Sequence, residues 1–221
     1  AKIPLPNAFA YGSPIAGSRV AVTEGMLKNL DSEEVEAVVG HELGHLKHRD
    51  VQVMMFVSIL PALFYYIGFS LLLSSRYSSR DERNSGGAAI IGIASIALYW
   101  LLTMFTLYIS RTREYFADHH SVTIVEDGPR KLSEGLAKIV HSSKNMKKVS
   151  RNMGSLNSFK ALFISDPDHA EADATSIKYM GSHLGDQKLV EEVLRKQVTT
   201  LDKIAEIFST HPNIVKRLRA L

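Results

Sequence analysis

Three residues within a five-residue stretch have the types and spacing needed for metal-dependent chemistry. His41, Glu42 and His45 form the pattern H-E-x-x-H. On a helix, positions i and i+4 lie on the same face, so both imidazoles can point at one metal ion. Glu42 lies between them, close enough to hold a water molecule bound to that metal. The pattern therefore predicts a helix that presents two metal ligands and a carboxylate.

A third ligand is expected at Glu114, because Glu114 and Asp118 are again four residues apart. A carboxylate completes a His₂Glu zinc site and leaves one position open, and H-E-x-x-H on a helix is typical of zinc peptidases. Asp118 is then placed to accept the second ring N–H of a ligating histidine and fix its tautomer. His119 and His120 are the next candidates for the third ligand. The chain has no cysteine, so a zinc site must use histidines and carboxylates.

The order of these motifs resembles the gluzincin peptidases, and within them peptidase family M48. That family includes the HtpX-type membrane proteases and the Ste24-type CAAX proteases. The resemblance runs from Pro6 to Arg217 and is weak from about 144 to 203. Besides the two motifs above, it is carried by N-A-F-A at Asn7 to Ala10, by Val20 to Leu27, and by T-H-P at Thr210 to Pro212 with Arg217.

The resemblance implies a function and roles for individual residues. It implies an HtpX-type zinc endopeptidase that cleaves membrane or misfolded proteins, with its site on the cytoplasmic side of the cell membrane. His41, His45 and Glu114 would bind one Zn²⁺, and Glu42 would act as general base. His211, with Arg217 nearby, would stabilise the oxyanion. HtpX-type proteins usually carry two membrane helices before N-A-F-A, so we expect an N-terminal truncation here.

The metal helix should begin at Asp31 or Ser32, since Glu34 follows Asp31 at capping-box spacing. Its expected buried stripe contains Val35, Val38, Val39 and Leu46, together with Glu42 and His45. Burying two ionisable groups without partners is costly, and zinc would supply the partner.

Two short strands are predicted before this helix, at Asn7–Ala10 and Arg19–Thr23, and the alternation of Val20 and Val22 is typical of a half-buried sheet. One interpretation is a structural hairpin over the metal helix. The other is an exposed edge that pairs with an extended substrate, which makes Asn7, Ala8, Phe9 and Ala10 substrate-binding residues.

Two long runs carry no charged side chain, Val51–Ser75 and Asn84–Ser110. About 20 apolar residues span a bilayer, so we predict a transmembrane hairpin. A buried hairpin in a soluble protein is disfavoured, because soluble helices rarely lack a polar face over such lengths. The expected fold is α+β and mostly α. It is a zincin-like (gluzincin) domain built from 1–50 and 111–221, with the hairpin 51–110 inserted between the H-E-x-x-H helix and the third-ligand helix.

Basic residues flank the runs on both sides and favour, weakly, a cytoplasmic catalytic part. Four lie beside the metal motifs and three in the linker: Lys47, Arg49, Arg111 and Arg113 against Arg76, Arg80 and Arg83. The net charge of +3 is low for a nucleic-acid binder, and no nucleic-acid motif is present.

Two other functions remain as alternatives. A Ste24-like protease for prenylated peptides needs more membrane segments than two, and a non-catalytic membrane scaffold need not retain Glu42 or Glu114. The partners expected are protein or peptide substrates and the lipid bilayer, while the oligomeric state is left open. Near the C terminus, the sequence predicts a loop at 142–155, an acidic loop at 166–173 and helices from 186 broken near 209–212.

Overall fold

The computed structural model describes residues 3, 5–13, 17–77, 82–149 and 185–221. Within these ranges the protein is mostly helical with one two-stranded sheet, which confirms the predicted balance. The acidic stretch 166–173 lies outside the described residues. The elements are β1 (Ala8–Ser13), β2 (Gly17–Val22), α1 (Glu24–Asn29), α2 (Ser32–Lys47), α3 (Asp50–Tyr77), α4 (Glu82–Ile124), α5 (Gly128–Val149), α6 (Asp186–Arg195), α7 (Thr200–Ile207) and α8 (Ile214–Ala220).

The chain divides into two compact units. The discontinuous unit contains Ala1–Arg49 and Arg111–Leu221, and the hairpin unit contains Asp50–Ser110.

The core of the discontinuous unit is built around α5. Leu132, Leu136 and Val140 recur every four residues on this helix and are buried, so they form one continuous apolar face. The helix packs against α2 on one side and α6 on the other, and α6 in turn packs against α8. The same cluster includes Met26, Val38, Val193, Val215 and Leu218.

The sheet lies against α2 and is longer than the sequence indicates. β1 and β2 pair antiparallel from Ala8 opposite Val22 to Ser13 opposite Gly17. Thr23 fixes its base, because its hydroxyl oxygen accepts a hydrogen bond from the Asn7 N–H at 2.9 Å and also caps α1.

Helix α2 begins with the predicted capping box, in which the Asp31 N–H donates to Glu34 Oε2 at 2.8 Å. The predicted buried stripe is partly wrong: Val38 and Glu42 are buried, but four of its members are only half-buried, namely Val35, Val39, His45 and Leu46. The face that is fully buried is rotated towards Ala37, His41 and the helical glycines, where α4 packs most closely; its members are Glu34, Ala37, Val38, Gly40, His41, Glu42 and Gly44.

The C-terminal half differs from expectation in two places. Helix α5 continues to Val149, so the loop predicted from 142 is wrong over its first turns. The break at 209–212 is present, but a second break separates α6 from α7. It occurs because Thr199 starts a new helix through a capping box with Asp202.

In the hairpin unit, α3 meets the first part of α4 through facing glycines. A Cβ atom on Gly68 would lie 2.9 Å from the Ile96 side chain, and one on Gly92 would lie 2.9 Å from the Leu72 side chain. Small residues at such positions let two membrane helices approach closely. Two helices among the described residues are long and apolar enough to cross a membrane, and only 11% of each apolar window is buried.

Candidate metal centre

The centre forms where α2 and the last turns of α4 pack with almost no space between them. A Cβ atom on Gly44 would lie 2.9 Å from Ala117 Cα and 3.3 Å from Ala117 O, so only glycine permits this approach. One turn earlier on α2, Gly40 lies against Ser121, whose hydroxyl donates to the Ala37 carbonyl at 2.6 Å. The turn that carries both histidines is therefore held directly against the turn that carries Glu114.

Three side chains meet at this contact with the spacing of metal ligands. His41 Nε2 lies 3.1 Å from His45 Nε2. Glu114 Oε2 lies 3.7 Å from His41 Nε2, and Glu114 Oε1 lies 3.6 Å from His45 Nε2. Donor atoms about 2.0–2.2 Å from a tetrahedral zinc ion lie roughly 3.3–3.6 Å from one another. The donor set thus fits a zinc ion, and the three distances lie close to this range without all falling inside it.

Asp118 lies on the far side of the His41 ring. Its Oδ1 is 2.8 Å from His41 Nδ1, so the ring nitrogen that faces away from the ligand group has a carboxylate partner. A carboxylate at Nδ1 fixes the tautomer in which Nε2 carries the lone pair for a metal.

Arg217, on the C-terminal helix α8, contacts the carboxylates of both Glu114 and Asp118. Its Nε and Nη2 donate to the two oxygens of Asp118 at 2.9 and 2.6 Å, and Nη1 lies 3.2 Å from Glu114 Oε2. The guanidinium is buried, which lowers its pKa, but the charges of Asp118 and Glu114 outweigh this and hold the pKa above its usual value. The sequence places Arg217 in the site only through family resemblance, and its bonding to both carboxylates was not foreseen.

Glu42 is buried beside the two histidines, with 5% of its surface exposed. Burial raises the pKa of its carboxyl, while His41 and His45 act in the opposite direction. The backbone N–H of Ala10 donates to Glu42 Oε2 at 2.8 Å, which links β1 to the site. A carboxylate with a raised pKa is suited to accept a proton and later release it.

His211 reaches the centre from the loop between α7 and α8. Its Nδ1 lies 3.3 Å from Glu114 Oε1. The loop is held by Arg111, whose Nη1 donates to the carbonyl oxygens of Glu206, Ile207 and Ser209 at 2.8, 3.0 and 2.8 Å. The sequence offers no signal for this role of Arg111 beyond its position next to the third-ligand motif.

The two alternative third ligands, His119 and His120, do not belong to the ligand group found among the described residues. The ring of His120 instead contacts that of His48, with the ring centroids 6.0 Å apart. A second acidic group, formed by Asp31, Glu34 and Asp186, surrounds the Lys138 ammonium at 3.0, 2.8 and 3.1 Å. Because Lys138 occupies its centre, we interpret this group as an ion-pair cluster that joins α2, α5 and α6.

One residue of the predicted substrate strand, Ala10, contacts the centre. Asn7 and Ala8 are buried, whereas Phe9 and Ala10 are half-buried. The Ala10 N–H points away from β2, towards Glu42. Substrate binding by these four residues stays a prediction.

A sequence profile described as peptidase family M48 matches residues 1–221, the whole chain. The chain belongs to peptidase family M48. Curated relatives described as protease HtpX homologues are similar to it throughout. The Thermoplasma acidophilum relative is 37% identical over 224 residues, covering 100% of this chain and 65% of its own length. The Aeropyrum pernix relative is 39% identical over 220 residues, covering 98% of this chain and 66% of its own length.

A relative from Sulfurisphaera tokodaii, described as protease HtpX homologue 2, is 38% identical over 230 residues. This M48 chain thus spans slightly less than two thirds of the length of these relatives, 65% and 66% for the first two. No solved structure matches it significantly.

Proposed function

We propose that this M48 chain forms the catalytic part of an HtpX-type, zinc-dependent endopeptidase embedded in a membrane. The observation that carries the proposal is the ligand group His41, His45 and Glu114, whose donor atoms all lie within 4.8 Å of one another. Buried Glu42 follows the first ligand directly. Membership of a peptidase family supports the same reaction, peptide-bond hydrolysis. The relatives described as proteases support it as well.

His41, His45 and Glu114 would hold the zinc ion, and Asp118 would orient His41. When bound, zinc supplies a Lewis acid that polarises the scissile carbonyl and lowers the pKa of a water molecule. The charge balance of the centre is suited to a dication, because Glu42, Glu114 and Asp118 carry three carboxylates against the single guanidinium of Arg217.

Glu42 moves the proton. We assign its carboxylate the role of general base that takes a proton from the attacking water and then passes it to the leaving amine. The Ala10 N–H fixes Oε2 of this side chain, so Oε1 is the oxygen that would receive the proton. Its raised pKa brings the carboxyl closer to the neutral range in which such transfers are efficient.

His211 and Arg217 would support the reaction in different ways. His211 lies against Glu114 on a loop, so its ring is placed to donate to the oxyanion that develops on the scissile carbonyl. Arg217 is buried and bonded to Glu114 and Asp118, so we assign it the positioning of these two carboxylates rather than direct contact with substrate.

The outer edge of β1 would bind the peptide. Asn7 to Ala10 precede and begin this strand, and β2 covers only its other edge among the described residues. An extended substrate can add to a free edge through backbone hydrogen bonds. The N–H of Ala10 on that edge already reaches Glu42, which would place such a peptide beside the centre.

The membrane location rests on the two apolar helices. Their side chains are largely exposed, and exposed apolar surface of this extent needs lipid around it. We infer a zincin-like catalytic domain from 1–50 and 111–221, with 51–110 as its membrane hairpin and the catalytic side facing the cytoplasm. Membrane or misfolded proteins are the substrates that we propose for such a membrane-embedded protease.

The test is a zinc analysis combined with proteolysis of an unfolded protein in detergent, comparing the parent with Glu42→Gln. The variant should keep its zinc and lose about 10²–10⁴-fold in turnover, the usual effect of removing a general base. Glu36→Gln, an exposed change on the same helix, is the matched control and should remain active. Comparable proteolysis by zinc-loaded Glu42→Gln would contradict the assignment.

A further inference from the structure

Helix α7 exposes its apolar side chains to the outside of the discontinuous unit. Leu201 is 77% exposed, Ile204 49%, Ile207 47% and Phe208 60%. At about 100° per residue, these four positions fall within roughly 120° of the helix circumference. We call them the α7 apolar face.

One charged side chain of the same helix faces inward. Glu206 is largely buried and accepts from the Asn213 N–H at 3.2 Å, besides pairing with the Lys216 ammonium. Asp202 is taken up by the Thr199 capping box. A surface helix of a water-soluble domain turns its apolar stripe to the core, whereas α7 turns its apolar side chains outward and buries Glu206.

The end of α7 is tied to the point where α4 leaves its uncharged run. Arg111 is the first charged residue after that run, which ends at Ser110. Its guanidinium donates to the carbonyl oxygens of Glu206, Ile207 and Ser209. An arginine directly after a membrane span lies at the bilayer surface, so the carbonyls it binds must lie near that surface too.

We propose that the α7 apolar face is a lipid-binding surface that lies in the headgroup region of the bilayer. This inference rests on the membrane hairpin of the proposed function. An amphipathic helix of this kind lies in the plane of the membrane with its apolar side buried about 5–10 Å. Lys203, exposed on the same helix, is available to lipid phosphates. Because Phe208 directly precedes the loop that carries His211, lipid contact would also hold that loop.

The absence of cysteine allows a direct measurement of depth with single-cysteine variants. Leu201→Cys in the full chain is labelled with an environment-sensitive fluorophore and reconstituted in phosphatidylcholine–phosphatidylglycerol vesicles. Lipids that carry a nitroxide near the top or near the end of the acyl chain serve as quenchers. Leu27→Cys is the matched control, since this leucine of α1 is also exposed, at 61%. Tyr66→Cys, within the first uncharged run, reports on the hairpin.

The probe at Leu201 should lose most of its fluorescence to the shallow nitroxide and less to the deep one, and the probe at Leu27 should lose little. A probe at Leu201 that stays in water overturns the proposal, as does one that is dry but unquenched, because protein then covers it. If Tyr66 is quenched in these cases, the membrane hairpin stands and only the α7 surface fails. If Tyr66 is also unquenched, the membrane part of the proposed function fails with it.

Discussion

The carboxylates of the centre differ in their partners although two of them lie one turn apart on α4. Glu114 faces His41 and His45, whereas Asp118 faces the opposite nitrogen of His41. Arg217 contacts both, but it binds both oxygens of Asp118 and only one of Glu114. The geometry therefore directs Glu114 towards the Nε2 atoms of the two histidines and Asp118 towards Nδ1 of His41.

This difference predicts unequal losses of zinc affinity. Glu114→Ala should weaken zinc binding far more than Asp118→Ala, for which about 10–100-fold is expected of a residue that only orients a ligand. Competition with a chromogenic chelator measures both affinities under the same conditions. If Glu114→Ala binds zinc as tightly as the parent, the third ligand lies elsewhere, with His119 or His120 next to be tested.

Arg217 should tolerate no replacement, not even lysine. A lysine retains the charge but cannot bond both oxygens of Asp118 while also reaching Glu114. Breaking a buried pair of this kind typically costs about 3–5 kcal/mol of stability, because a carboxylate is left uncompensated. Thermal unfolding in detergent and zinc affinity should both fall for Arg217→Lys.

Arg219→Lys is the control for Arg217→Lys, because Arg219 is exposed on the same helix and binds only backbone carbonyls in its described hydrogen bonds, those of Leu194 and Lys196. If the two variants have the same unfolding temperature and the same zinc affinity, Arg217 does not position the two carboxylates.

At the scale of elements, the centre depends on how closely α2 and α4 pack. The two glycines of α2 have no side chains that would separate the helices. On α4 the small residues Ala117 and Ser121 lie opposite them. Helices this close bring the donor atoms of His41, His45 and Glu114, from two distant parts of the chain, within 4.8 Å of one another. The packing of α2 on α4, rather than the turn of either helix alone, therefore sets the distance from Glu114 to the histidines.

Gly44→Ala should widen that distance. Alanine favours a helix over glycine by about 0.5–1 kcal/mol, but overpacking a close contact typically costs about 1–3 kcal/mol, so the clash with Ala117 should prevail. We expect weaker zinc binding and a lower unfolding temperature in detergent. Gly135→Ala is the matched control on α5, since its Cβ would meet Val38 at an ordinary 3.4 Å and should be neutral or stabilising. A Gly44→Ala protein with parental zinc affinity would show that zinc binding does not need the close approach of α2 to α4.

At the scale of the whole molecule, the chain leaves the discontinuous unit after Arg49 and returns to it at Arg111, with the hairpin unit between. A segment inserted in this way does not interrupt the core, because that core is formed by helices on both sides of the insertion, notably α2 and α5. The discontinuous unit can therefore keep a continuous core although the hairpin unit is inserted in its sequence.

Digestion of sealed vesicles should show this arrangement. An added protease should spare 51–75 and 84–110 in intact vesicles, and peptides from both runs should be recovered by mass spectrometry. The reason is that lipid excludes the protease from a membrane-embedded helix. Dissolving the vesicles in detergent and destabilising the chain supplies the control for intrinsic resistance. Ready cleavage of both runs in intact vesicles would mean that the hairpin is not transmembrane.

The sequence by itself determined the features that depend on neighbours a few residues away. The spacing of His41 and His45, the capping box at Asp31 and the uncharged runs are all local, because helix periodicity and capping act within one or two turns. The mostly helical fold with a small sheet and membership of family M48 were also predicted correctly.

Only the tertiary structure decided which face of α2 is buried and how the buried charges are paired. Ser121 meets Ala37 across 84 positions, and Arg217 meets Asp118 across 99. Apolar periodicity favoured a stripe through Val35 and Val39, but close approach of two backbones is a stronger determinant, and it selects the side with glycine. The same long-range packing ties Arg111 to the loop of His211, which no local pattern encodes.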